Sequence, residues 1–166
     1  MDAMRDEAMS LQQISAHFSV IEFAQPAKPE WGAEHAHVVP YPGLWLADRL
    51  VPLCALLEQV RIACGGHPIR IISGFRTVEY NREMYLRAGK KPTDSQHSYG
   101  RAADIAVEGV APGDVHRITL ELAKSKSITL GGLAEYNGFV HVDIREQKPP
   151  GHIARWVGSR TIEQTV

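Results

Sequence analysis

The stretch Phe139-Val-His-Val-Asp-Ile-Arg145 limits the possible folds of this chain more than any other. Side chains of a β-strand alternate between its two faces. As a strand, this stretch puts Val140, Val142 and Ile144 on one face and Phe139, His141, Asp143 and Arg145 on the other. The first face needs a core to bury it. The second carries an imidazole and a carboxylate, which suits the wall of a cleft. The fold must therefore cover one side of this strand with apolar side chains and leave a polar site on the other.

A second segment, Ser95-Gln-His-Ser-Tyr-Gly-Arg-Ala-Ala-Asp104, supplies partners for that face. His97 stands just before a glycine-bearing turn, and Asp104 follows on what reads as a strand. A turn followed by a strand brings both to one lip, where His141 can join them. Zinc accepts neutral imidazole nitrogen and carboxylate oxygen at about 2.0–2.2 Å. Three protein ligands leave a fourth position for water, which separates a catalytic zinc from a structural one. The chain has 8 histidines, however, so such a triple also arises by chance. On spacing alone, His97 as a loop cap and His141 as a hydrogen-bonded surface histidine stand beside the metal reading.

The rest of the sequence predicts one domain, residues 18–166, behind a polar lead-in over residues 1–17. Ser19 is placed to cap a short turn ending near Phe23. Prolines 26, 29, 40 and 42 make the next stretch a loop. Leu46, Leu50, Leu53, Leu57 and Val60 recur at helical spacing and predict a helix from Pro42 to Ala63, closed by Gly65-Gly66. Further helices are expected from Thr77 to Ala88, with Thr77 as N-cap, and from Pro112 to Ser125. Strands are expected over residues 68–72, 102–107 and 139–145, with a regular element over residues 128–130 and a turn at Gly131-Gly132. The tail from Glu146 reads as loop anchored by Trp156. Late strands close in sequence favour an α+β fold with a mainly antiparallel sheet. Cys54 and Cys64 lie on one helix, about 15 Å apart by helical rise. A disulfide needs Cα atoms within about 7 Å, so both are expected as buried free thiols.

A net charge of -1 gives no field to recruit nucleic acid or an anionic membrane. No apolar run reaches the roughly 20 residues that span a bilayer. The segment Met1-Asp-Ala-Met-Arg-Asp-Glu7 does not read as a secretory signal.

Several motifs together resemble the M15 family of zinc peptidases, the D-Ala-D-Ala carboxypeptidase and peptidoglycan endopeptidase group. They are Ser73-Gly-Phe-Arg76, Tyr80-Asn81, Ser95-Gln-His97, Gly100-Arg-Ala-Ala-Asp-Ile105, Gly131-Gly132, Tyr136, Phe139-Val-His-Val-Asp143 and Arg155-Trp156, in the family's order. Residues 18–23 also resemble the opening segment of its carboxypeptidase-like branch. The resemblance implies that His97, Asp104 and His141 bind zinc and that the fold is an α+β, hedgehog-like sheet packed by helices. It implies that the substrate is a peptidoglycan peptide and that Arg76 acts as catalytic clamp for substrate or oxyanion charge.

A zinc peptidase also needs a general base. In several branches of the family an acid stands three residues before the last histidine; here that position is Gly138. Asp143, on the face of His141, is the first candidate, with orientation of a ligand histidine as its other role. Glu135 is the second. Ser95 and Gln96 are candidates to bind substrate or shape the loop, and Tyr136 and Tyr99 to line the cleft or pack. His35 and His37 in their proline-flanked loop, and the Lys90-Lys91 pair, are expected to be solvated. His17, His67, His116 and His152 are expected to be structural.

The expected protein is therefore a zinc metallopeptidase, acting as a monomer on peptidoglycan stem or cross-link peptides. Without a visible signal, it is expected to be made in the cytoplasm and to be phage-associated or delivered to the wall by another route. Two alternatives are a non-catalytic, zinc-stabilised wall-binding module and a different zinc amidohydrolase on the same scaffold.

Overall fold

A computed structural model describes residues 12–158 and 160–161. Alternation along the central strands organises it. Strands β1 (Ile69–Ser73), β2 (Ala102–Val107), β3 (Gly132–Tyr136), β4 (Phe139–Asp143), β5 (Ala154–Val157) and β6 (Arg160–Thr161) form one sheet in the order β1-β2-β4-β3-β5-β6. Every neighbouring pair is antiparallel except β3–β5, which is parallel. Among the described residues the α-helices are α1 (Val51–Ala63), α2 (Val78–Arg87) and α3 (Pro112–Lys124). The class is α+β with a mainly antiparallel sheet, as expected.

One face of the sheet is apolar. Ala103, Ile105, Leu133, Val140 and Val142 are fully buried there and share a core with Leu53, Leu57 and Val60 of α1 and Val115 of α3. Each such aliphatic side chain stabilises the fold by about 1.5–3 kcal/mol through burial. The opposite face carries Asp104 and His141, which are directly paired in register across β2 and β4. The apolar cover fixes which side of β4 faces inward, and so fixes where His141 points.

α1 starts differently from the expectation. The helical run expected from Pro42 opens as a 3₁₀ turn, Gly43–Trp45, and a π-type turn, Leu46–Leu50, before the α-helix begins at Val51. Pro52 has no N–H to donate to the carbonyl four residues back, so regular α bonding cannot run through it. The leucine stripe nevertheless faces the core. Cys54 and Cys64 are free and buried, and burial pushes the Cys54 thiol up to about 12.

The Gly131-Gly132 turn is corrected: Gly132 opens β3, and the chain reverses at Asn137-Gly138, between Tyr136 and Phe139. Gly138 takes a φ of +95°, which an Asn-Gly hairpin favours. Gly131 and Gly132 serve close approach instead. A Cβ on Gly132 would collide with Asp143 Oδ2, and one on Gly131 with the Arg145 carbonyl oxygen. Residues 128–130 lie outside the strands. The tail also differs: β5 and β6 extend the sheet where loop was expected, and Trp156 does anchor it.

Most of the lead-in lies outside the described residues. Of the remainder, the Ser15 hydroxyl donates to Glu58 Oε1 of α1 at 2.6 Å, and His17 Nδ1 lies 2.8 Å from Glu58 Oε2. The Ser19 N–H donates to Glu22 Oε2 at 2.7 Å and so closes the 3₁₀ turn Val20–Phe23. His35 is buried rather than solvated, with its ring edge-on to Trp31 and Tyr80. Its apolar ring body fills the gap between a proline-rich loop and α2.

Candidate metal centre

Three elements bring His97, Asp104 and His141 together. Ser95 caps the 3₁₀ turn Gln96–Tyr99, its Oγ accepting from the His97 N–H at 3.3 Å. That turn closes at Gly100, whose φ of +65° lets the chain pass into β2 and Asp104. Adjacent β4 carries His141. His97 Nε2 is 3.2 Å from Asp104 Oδ1, and His141 Nδ1 is 2.9 Å from the same oxygen. All three residues are buried.

The partners behind the imidazoles set their tautomers. His97 Nδ1 lies 2.7 Å from the carbonyl oxygen of Gly74, which can only accept, so Nδ1 carries the proton. His141 Nε2 lies 2.9 Å from Asp143 Oδ2 and donates to it. In the neutral rings, His97 Nε2 and His141 Nδ1 therefore present lone pairs to Asp104. Burial opposes ionisation of Asp104, but a protonated imidazole at His97 or His141 would donate to it and outweigh that, holding the carboxyl far below the usual range. Three acceptors thus converge with no donor among them, and a cation resolves the conflict.

The spacing is that of a group that could hold a metal ion. Tetrahedral ligands at about 2.0–2.1 Å from zinc stand about 3.3 Å apart. The potential ligand atoms here all lie within 4.8 Å of one another. Burial lowers the pKa of His97, which keeps its ring neutral for ligation. Burial opposes protonation of His141 too, but Asp104 and Asp143 overcome it and raise its pKa. With no metal bound, a proton is thereby favoured where a metal would sit.

A supporting layer fixes each of the three side chains. Arg76 donates from Nη2 to Asp104 Oδ2 at 3.0 Å, from Nε to Ser73 Oγ at 2.9 Å and from Nη1 to Asn81 Oδ1 at 3.4 Å. The guanidinium expected as a substrate clamp is thus shared among Asp104, Ser73 and Asn81. Gly74 owes its place to a close approach, because a Cβ there would sit 2.6 Å from Phe23 Cα. The Phe18–Phe23 segment therefore backs the carbonyl that orients His97.

Asp143 is fully buried behind His141. The Arg145 Nε donates to its Oδ1 at 2.8 Å, and the Arg145 N–H to the same oxygen at 3.1 Å. Burial opposes its ionisation, yet the bonds from His141 and Arg145 lower its pKa to about 2. Glu135 pairs in register with core-facing Val140 and so lies on the helix-bearing side of the sheet, beside Gly113 at the start of α3. Neither Asp143 nor Glu135 is among the residues lining the cleft.

That cleft, about 600 Å³, opens over His97, Asp104 and His141 and is lined also by Arg76, Lys90, Lys91, Ser95, Tyr136 and Trp156. Lys90 and Lys91 are exposed, as expected, but stand on its rim. Gln96 lies in the turn beneath, its Oε1 buried without a hydrogen-bond partner among the described residues. Tyr99 is exposed and donates to Asp94 Oδ2 at 2.9 Å. The role of Trp156 was missed beyond its anchoring. Its ring lies 5.0 Å from that of His141, and its Nε1–H donates to the Tyr136 oxygen at 2.8 Å. Arg155-Trp156 stood out as a family motif, but in an expected loop nothing in its spacing pointed to a place beside His141.

This sheet, with His97, Asp104 and His141 on its open face, is that of a metallopeptidase domain, and the sequence profile of the peptidase M15 family matches residues 9–143. The chain belongs to that family. Among curated proteins it is similar to the peptidoglycan L,D-endopeptidase MepK of Escherichia coli strain K12, with 32% identity over 104 residues. The MepK proteins of Escherichia coli O157:H7 and Shigella flexneri match to the same degree. The aligned region covers 61% of this chain and 50% of MepK, so the chain spans about half the length of these relatives.

Proposed function

We propose that this chain is a zinc-dependent peptidase that hydrolyses an amide bond in peptidoglycan stem or cross-link peptides. The observation that carries the reading is the convergence of three buried acceptor atoms, from His97, Asp104 and His141, on one point at the floor of an open cleft. The name of the MepK relatives favours cleavage within the peptide over removal of a terminal residue.

His97, Asp104 and His141 would hold the zinc, which when bound polarises a carbonyl and supplies an activated water near neutral pH. The other residues prepare that site. Asp143, itself gripped by Arg145, fixes the tautomer and plane of His141. Arg76 holds Asp104 so that Oδ1 faces the imidazoles, and its Nη2 keeps a second N–H for the cleft. Lys90 and Lys91 place positive charge at the rim, which suits a peptide bearing free carboxylates. Asp143 thus acts through His141 rather than on the attacking water.

The test is a digest of purified cell-wall peptide with zinc-loaded protein, read by mass spectrometry. New amine termini that vanish in His141→Ala support the reading. A wild type that binds wall but yields no new termini identifies the non-catalytic wall-binding module, which the glycine at position 138 favours. Products cut at a non-peptide amide identify the other amidohydrolase.

A further inference from the structure

The cleft lining that holds Arg76 also contains a hydroxyl whose bonding is partly decided, that of Tyr136. An indole N–H donates and cannot accept. Trp156 Nε1 lies 2.8 Å from Tyr136 Oη, so the tyrosine oxygen is the acceptor in that bond. The proton of Tyr136 must point elsewhere, and no protein acceptor meets it among the described residues. Both residues line the cleft over the three metal ligands.

The rings are fixed as well. Tyr136 stacks on Phe139 with centroids 4.6 Å apart and planes 8° from parallel. Trp156 lies beside His141, with the Arg145 guanidinium 5.4 Å from its ring. Register explains the grouping: Ala134 pairs with both His141 and Trp156, and Tyr136 pairs with Phe139, so alternation puts all these side chains on the metal face. The parallel strand β5 exists in the sheet at the position that delivers Trp156 to Tyr136. Arg76, a charged donor that also lines the cleft, spends one Nη2 bond on Asp104.

Resting on the peptidase reading above, we propose that Tyr136 is the hydrogen-bond donor to the carbonyl oxygen of the cleaved amide, and that Trp156 is the positioning residue that aims it. Water adds its oxygen to the carbonyl carbon, and the carbonyl oxygen takes on negative charge. The C–N bond then breaks, and the amine leaves with a proton from that water. Tyr136 keeps its own proton throughout. Its contribution is a donor held where charge develops, at no cost of reorganisation during the reaction.

The experiment compares wild type, Tyr136→Phe, Trp156→Phe and the double variant, all zinc-loaded. It measures kcat, KM, zinc content and the affinity of a phosphinate peptide, whose tetrahedral oxygens mimic the charged intermediate. Tyr136→Phe keeps the stacked ring and loses only the hydroxyl. Its kcat should fall on the order of 100-fold, with KM and zinc content unchanged and phosphinate binding at least tenfold weaker. Trp156→Phe should lose about tenfold in kcat and nothing further in the Tyr136→Phe background, since the two act as one unit. If wild type cleaves and Tyr136→Phe stays within twofold in kcat and phosphinate affinity, this proposal is overturned and the peptidase reading stands. Losses that merely follow zinc content, or that multiply independently in the double variant, overturn it too. A wild type that cleaves nothing overturns both.

Discussion

At the residue scale, the centre depends on what stands behind each ligand. Asp143 touches no cleft surface, yet it decides which nitrogen of His141 is bare. Replacing it by Asn keeps the shape and removes the charge that holds the imidazole N–H. Partners of this kind are worth about 10–100-fold in metal affinity, so Asp143→Asn should bind zinc weaker by about that factor in a competition titration with a chelating dye. Added zinc should restore most of its turnover. If saturating zinc restores none, Asp143 acts on the reaction itself. Glu135→Gln, altered on the far side of the sheet, should keep kcat within about twofold. Strand alternation put His141 on a polar face, but spacing alone left other roles open for His97 and His141, and it was the resemblance to the M15 family that singled out the set with Asp104. The orientation of Asp143 toward His141 rather than toward the cleft depends on Arg145 curling back onto it, which no spacing rule encodes.

At the scale of elements, the two late glycines show how a motif can be read for the wrong reason. Gly131-Gly132 looks like a turn, but those positions let β3 approach β4 around the Asp143 carboxylate. The true reversal, Asn137-Gly138, is a strong hairpin signal that the pull of the glycine pair concealed. Gly132→Ala should therefore cost about 1–3 kcal/mol by overpacking, measured by urea denaturation, and should also lower zinc occupancy by displacing Asp143. β5 was invisible because three half-buried residues and one exposed one, of mixed polarity, give no period, and their pairing with β3 comes from distant chain. The helices were legible because their stripes are local, although Pro52 moved the start of α1.

The clasp between the lead-in and α1 gives a second prediction at this scale. Burial opposes ionisation of Glu58, but hydrogen bonds from Ser15 and His17 outweigh it and hold its pKa below the ordinary value. A depressed carboxylate contributes stability that is fully present above its unfolded pKa, about 4.3, and is lost as pH falls through the folded value. Urea midpoints recorded from pH 5 to pH 3 should fall less steeply in Glu58→Gln than in wild type. Parallel slopes would show that the clasp contributes nothing to acid stability.

At the scale of the whole molecule, one sheet separates two tasks. Its covered face supplies stability through the core shared with α1 and α3, and its open face gathers buried charge that the fold alone leaves unresolved. A ligand that binds only the native state at a thousandfold over its Kd stabilises by about 4 kcal/mol. Stripping zinc should therefore lower Tm by on the order of 10 °C in a domain of this size, reversibly on adding zinc back. The central claim is that one zinc ion, held by His97, Asp104 and His141, makes this fold a peptidase. Its most direct test is turnover of a peptidoglycan peptide by chelated protein as zinc is titrated back. Turnover should start near zero, rise linearly and break at one zinc per chain, and Asp104→Ala should show no such rise. Full turnover without zinc, or a zinc-driven rise that survives loss of Asp104, would contradict it.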